Sequence, residues 1–418
     1  MNSSGGWIAD PRARRAIAVI AIAVVAIVAA GVIYLHPSFG SSSPTHKALE
    51  VRPSPTPPQI DGRFSATYDF ITPSLGWALV SQNVSSRPSF WVFRTSDGAK
   101  HWVQQMTGQC EGLGTSNLNM FDRLHGELDL CDPLVAYRSS DGGASWSAIA
   151  LPHYSFASVN FSDALHGWYL AWSAEMPSPP TPGQLDQPAL AEFLATADGG
   201  STWTKLPTPP HPSFSGKGGF FNMQFRGAKT GWMGTDIDPA TIYSTADGGF
   251  SWRPLTLPVS APTDGNGEIF NTRVQVLPRS GLIAVVVDVS DNATGLTSFD
   301  GGLTWHQIAS PPGNTTFDDY AFIDDSHWWA MRNSTLYKSS DAGQSWKLAT
   351  LLLDQWVYSP HPLDSKHAWA AISGGGTIDI PAGSAPDSGF LAPGGGLATT
   401  SDGGLLWTYV NVPQPRLS

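Results

Sequence analysis

Seven aspartates recur in one local setting: Asp97, Asp141, Asp198, Asp247, Asp300, Asp341 and Asp402. Paired carboxylates can act as general acid and general base, for example across a glycosidic bond. A catalytic pair, however, would be unique in the chain, whereas these seven share one context. That context is the octapeptide S/T-x-D-G-G-x-S/T-W: TSDGAKHW (95–102), SSDGGASW (139–146), TADGGSTW (196–203), TADGGFSW (245–252), SFDGGLTW (298–305), SSDAGQSW (339–346) and TSDGGLLW (400–407). Ala99 and Ala342 each replace one Gly. The carboxylate of such a turn can accept hydrogen bonds from its own backbone N–H groups. The glycines supply positive φ, and the hydroxyls add bonds within the hairpin. The repeat is read as a folding device.

Other candidates for chemistry are weaker. His125, His166, His327 and His367 occupy equivalent turns (LHGE, LHGW, SHWW, KHAW), so they fall on different repeats and read as turn residues, not metal ligands. The pairs Asp318–Asp319 and Asp324–Asp325 lack the alternating ligand pattern of a calcium loop. Cys110 and Cys131 match no zinc spacing, and a disulfide between them is expected in an exported segment, with two free buried thiols as the alternative. No cofactor is expected.

The elements that would position these residues follow from the spacing. The aspartates lie 41 to 61 residues apart, a period of propellers and arrays. A second pattern precedes most copies: a Phe, a polar turn, then Gly-Trp and an apolar run, as in DFITPSLGWALV, NFSDALHGWYLAW and QFRGAKTGWMGT. FDRLHGELDL and LDSKHAWAAI are degraded versions. Each unit thus reads as four short strands, and seven units make a seven-bladed all-β propeller over residues 61–413. Pro/Gly-rich insertions at 176–188 and 374–396 are expected as surface loops. Seven of the 17 Trp close the octapeptides: Trp102, Trp146, Trp203, Trp252, Trp305, Trp346 and Trp407. Five more, Trp77, Trp168, Trp232, Trp328 and Trp369, are assigned to the Gly-Trp element. Trp7, Trp91, Trp172, Trp329 and Trp356 are left over, and the four in the propeller are where a binding surface is sought first. Whether a segment near Ile60–Ala66 closes the ring as a latch, or each blade is complete in sequence, is open at this point.

The octapeptide resembles the Asp-box or BNR repeat, over nearly the whole of 61–413. With the Phe-x-D-x-x-x-G-W element it is most similar to the photosystem II stability/assembly factor-like propellers. That resemblance implies a scaffold or chaperone-like role towards a membrane protein assembly. Sialidases share the Asp-box, but no Arg-Ile-Pro motif occurs here. The arginines Arg94, Arg138, Arg226, Arg253, Arg273 and Arg332 could bind a carboxylate only if they converge. An exo-acting, sialidase-like glycosidase is the alternative function.

Composition sets the compartment. The 418 residues carry a net charge of -11, with 34 Asp+Glu against 23 Lys+Arg, which excludes a nucleic-acid binder. Residues 1–15 hold Arg12, Arg14 and Arg15 and are expected in the cytoplasm. Ala16–Leu35 is twenty residues without a charge, long enough to span a membrane as a signal-anchor helix. Residues 36–60 form a Ser/Thr/Pro-rich linker and 414–418 a tail. The expectation is a single-pass cell-membrane protein whose propeller lies outside the cytoplasm. A protein or glycan partner would dock at its loops or central mouth.

Overall fold

The computed structural model describes residues 58–416, except 83–86, 112–116, 132–133, 153–155, 174–189, 208, 210–222, 236–238, 260–268, 278–281, 290–291, 311–318, 333–334, 352–356 and 373–394. The anchor expected at 16–35 and most of the expected linker lie outside the described residues. Among the described residues no helix is long and apolar enough to cross a membrane.

The described chain forms seven four-stranded antiparallel sheets, each a meander of consecutive strands. Blade 1 spans 64–109, blade 2 117–148, blade 3 156–205, blade 4 223–256, blade 5 269–307, blade 6 319–351 and blade 7 357–410. This is a seven-bladed β-propeller, and every blade is complete in sequence. First strands of successive blades lie side by side, as Phe64–Phe70 does with Asn117–Met120. Asp69 fastens that pair, its carboxylate accepting the Met120 N–H at 2.6 Å.

The Phe-to-Gly spacing has a steric cause. Phe70 pairs across the hairpin with Gly76, Phe161 with Gly167 and Phe225 with Gly231. A Cβ on any of these glycines would come within 2.5 Å of the partner ring, so the aromatic can fold over the strand only above a glycine. In blade 6 the Gly position holds Trp328, which meets Phe322 edge-on at 5.0 Å.

That pairing corrects the tryptophan assignment. Residues preceding the octapeptide Ser/Thr set the register: Trp77 pairs with Arg94, Trp168 with Ala195 and Trp369 with Thr399. In blade 6 it is Trp329 that pairs with Lys338, so Trp329, not Trp328, is the repeat tryptophan. Ala284 takes that position in blade 5, and Trp328 fills the same junction from the other side. In blade 2 the position belongs to Glu127, opposite Arg138.

Each of the seven junctions between blades holds one apolar cluster of described residues, and each octapeptide Trp packs into the junction with the preceding blade. These tryptophans are half-buried, Trp346 excepted, which is buried. The repeat tryptophans of the second strands pack towards the following blade and are buried. Trp168 Nε1 donates to Gly248 O at 2.9 Å and Trp77 Nε1 to Gly142 O at 3.0 Å, each reaching the next blade's turn.

Closure lies between blades 7 and 1. Gln59 bridges Gly396, Ile60 N donates to Gly395 O, and Trp102 Nε1 donates to Asn411 O at 2.9 Å. Gln414 in turn donates to Gln59 O. Ordered contacts therefore reach back to residue 59 and forward to 414. Gly396 belongs to a strand, not to the preceding insertion. Trp91 is buried against Phe64 in this junction, and Trp329 is buried in the next one back, so neither offers a surface. Trp7, Trp356 and the Trp172 side chain lie outside what is described.

Candidate functional site

The seven turns are one construction repeated. In blade 4, Thr245 Oγ1 donates to Asp247 Oδ1 at 2.8 Å and accepts from Gly249 N at 2.9 Å. Asp247 Oδ1 also accepts Ser251 N, and Oδ2 accepts the Ser251 hydroxyl at 2.6 Å. Asp141, Asp198, Asp300 and Asp341 repeat this set. In blade 1 the hydroxyl is replaced by His101, whose Nδ1 lies 2.7 Å from Asp97 Oδ2. In blade 7 Leu406 offers no hydroxyl, and Asp402 Oδ1 accepts the Thr400 hydroxyl and the Leu405 and Leu406 N–H groups. These bonds hold the carboxyls below their ordinary range. For Asp97, Asp198, Asp247 and Asp341 the side-chain bond from the fourth residue on is the main cause, and the value falls to about 2. Carboxylates so committed to their own turns stay ionised and are poor proton shuttles.

Backbone geometry explains the glycines. Gly248 and Gly249 have φ of 79° and 97°. Ala99 and Ala342 adopt the same left-handed conformation, with φ of 64° and 58°.

The four histidines are turn residues. In each, Nδ1 lies 2.8–3.1 Å from the Asp three residues earlier: Asp122, Asp163, Asp324 and Asp364. Asp324, of the acidic pair Asp324–Asp325, is occupied this way and by Ser326. Among the described residues no group of three or more His, Cys, Asp or Glu is placed to hold a metal ion. The arginines do not converge in what is described. Arg94 lies over Trp77, Arg138 over Phe161 and Arg226 over Trp232, in three different blades.

Cys110 and Cys131 form a disulfide with a Cα–Cα distance of 5.1 Å. It joins the end of blade 1 to the second hairpin of blade 2, inside their shared apolar cluster.

Two features depart from the repeat. The first is the junction of blades 2 and 3. Glu127 and Asp129 point into it from strand Gly126–Leu130 and are 1% and 5% exposed. Glu127 Oε1 accepts from Asn119 at 3.4 Å, while Glu127 Oε2 and Asp129 Oδ1 have no hydrogen-bond partner among the described residues. Burial pushes both carboxyls up, and the Glu127 charge pushes Asp129 further. Arg138 lies 3.9 Å over the Phe161 ring and donates to Ala164 O at 2.6 Å. A buried carboxyl that favours its proton could serve as a general acid, but no substrate reaches one this enclosed.

The second is a set of exposed apolar side chains: Leu124, Leu165, Phe250, Phe299, Leu303, Leu405 and Leu406. These seven stand on first-to-second or third-to-fourth strand turns, which share one end of the blades, whereas exposed Val103 and Leu348 lie on fourth strands. Gly142 N donates to Leu124 O, and Gly199 N to Leu165 O, tying the two kinds of turn together. A cleft of about 710 Å³ opens beside Leu406 at the closure junction, between Asp97 and Asp402. Composition and repeat counting missed this surface. The signal was present in the variable octapeptide positions, where Phe250, Leu303 and Leu405 replace the Ser, Ala or Lys of other copies.

No family model matches the chain, and no curated protein matches it. Solved structures share the fold. The structure of YCF48 bound to D1 peptide is 19% identical, covering 79% of this chain and 87% of that one, with a TM-score of 0.48. The GH74 enzyme of Niastella koreensis is 10% identical, covering 78% and 64%, with a TM-score of 0.45. Pyrococcus horikoshii acylaminoacyl peptidase is 9% identical, covering 84% of this chain, with a TM-score of 0.52; the chain spans 54% of that protein's length. At these identities the likeness is one of fold.

Proposed function

We propose that the propeller is a non-catalytic binding module, docking a protein partner on its turn-bearing face, and that Ala16–Leu35 tethers it to the cell membrane with the N-terminus cytoplasmic. The observation that carries the docking reading is the apolar set on the turns. Leu303 is 68% and Leu406 69% exposed, and apolar side chains repeated along one end of the blades offer a partner surface to cover. The turns beneath are held by their own bonds, so the face is a firm platform for recognition. The tether rests on the uncharged run and the arginines before it. A role in assembling or stabilising a membrane protein complex fits both parts.

The test is photocrosslinking of the full chain in native membranes, with the probe at Ser201, beside the apolar turns. A crosslinked partner lost in the Phe250→Asp, Leu303→Asp, Leu406→Asp triple variant supports docking there. No crosslinked protein, or one indifferent to the triple variant, removes this reading. Hydrolysis of sialosides or other aryl glycosides by the purified chain would favour a glycosidase instead.

A further inference from the structure

Glu127 occupies a position that is apolar in the other six blades: Trp77, Trp168, Trp232, Ala284, Trp329 and Trp369. Its side chain and that of Asp129 leave the same face of one strand, two residues apart. We propose that the junction of blades 2 and 3 is a proton-operated closure: Glu127 and Asp129 lie together there only while they hold a proton, and its loss loosens this junction alone.

The charges facing the pair make the case. From the first strand of blade 2 come only the neutral amides of Asn117 and Asn119. From the third strand comes Arg138, the one cation facing the pair among the described residues. From blade 3 comes the Phe161 N–H, which Glu127 accepts; Tyr169 lies in the same junction and its hydroxyl donates to Pro152 O. Asp163, in the turn after Phe161, also draws on Arg138 and is itself held by His166. Two buried carboxylates against one shared guanidinium leave a negative charge without a counterion in an apolar seam, a costly arrangement. A proton removes that charge. It also turns one carboxylate into a donor for the partnerless oxygens of Glu127 and Asp129.

The sign follows from the upward push on both carboxyls. The closed junction keeps a proton that the open one gives up. Its stability is complete below the ordinary carboxylate range and is lost as pH rises through the raised values.

The experiment is hydrogen–deuterium exchange on the full chain at about pH 5 and about pH 9, corrected for intrinsic exchange rates. Peptides covering Gly126–Leu130 and Phe156–Phe161 report the junction, and Ile283–Val289 of blade 5 is the control. The expected result is exchange at the junction at least about tenfold faster at the higher pH, equivalent to one unit of proton affinity, with the control unchanged. Glu127→Gln, which keeps the shape without the charge, should abolish the acceleration. Asp129→Asn, which leaves one carboxylate for Arg138, should do the same and serves if Glu127→Gln does not fold. Equal exchange at both pH values in the parent chain overturns the proposal. So does acceleration that survives either folded variant, or that appears equally in blade 5.

Discussion

Trp168 of blade 3 lies flat on Phe225 of blade 4, ring centroids 3.5 Å apart and planes within 5°. The same indole donates to the Gly248 carbonyl of the next turn. One side chain thus supplies both the apolar and the polar contact across a junction. Trp168→Ala should destabilise the propeller by about 3–5 kcal/mol, the usual cost of emptying a buried aromatic site. Trp252→Ala, which removes the half-buried octapeptide tryptophan of the same junction, should cost less, about 2 kcal/mol. Urea unfolding of the two variants decides the order; a reversed order would show that the turn tryptophans carry the junctions.

Ala342 holds a left-handed backbone at φ 58° that a side chain resists. Ala342→Gly should therefore raise stability by about 0.5–1 kcal/mol, despite the greater freedom glycine brings to the unfolded chain. Ala99 shares the conformation but is fully buried, so Ala99→Gly also loses a packed methyl and should gain less. Thermal unfolding midpoints measure both. A fall in midpoint for Ala342→Gly would mean that its methyl is needed in the junction.

The Cys110–Cys131 bond closes a sequence separation of 21 residues. Reducing it should cost about 3 kcal/mol by the loop-entropy relation. The loss should concentrate at the junction of blades 1 and 2, where both half-cystines sit. Proteolysis of the reduced chain that begins elsewhere would contradict this placement.

The turn carboxylates set an acid limit. Asp198 and Asp247 are lowered to about 2 by their hydroxyl and N–H partners. A depressed carboxyl contributes stability that is full above its unfolded value and is lost as pH falls through the folded one. The thermal midpoint should therefore drop from about pH 4 towards about pH 2. Asp247→Asn should make that decline shallower while lowering the midpoint at neutral pH. An unchanged acid limb would mean the turns do not report protonation.

The path from residues to blades is legible where interactions are local. Asp247, Gly249 and Ser251 make their bonds within five residues, so the octapeptide is readable wherever it occurs. The Phe-to-Gly spacing is likewise a hairpin property. What depended on pairing between strands was harder. Trp328 and Trp329 are adjacent and chemically alike, and only the register with Ser339 and Lys338 shows which one is the repeat tryptophan. As sequence, LHGELDL is a worn copy of the repeat. Its Glu127 and Asp129 become unusual only when blade 3 covers them, and that burial is set by residues some thirty positions away.

The closing contacts at Gln59 carry a mechanical consequence. Gln59 meets Gly396 at the start of the third strand of blade 7, and Gln414 holds Gln59 in turn. Any pull on the chain from its N-terminal side is thus delivered to the one junction where the first and last blades meet. The remaining six junctions feel it only after that clasp has slipped. A load applied through residue 59 therefore acts first on the contacts that join blade 1 to blade 7.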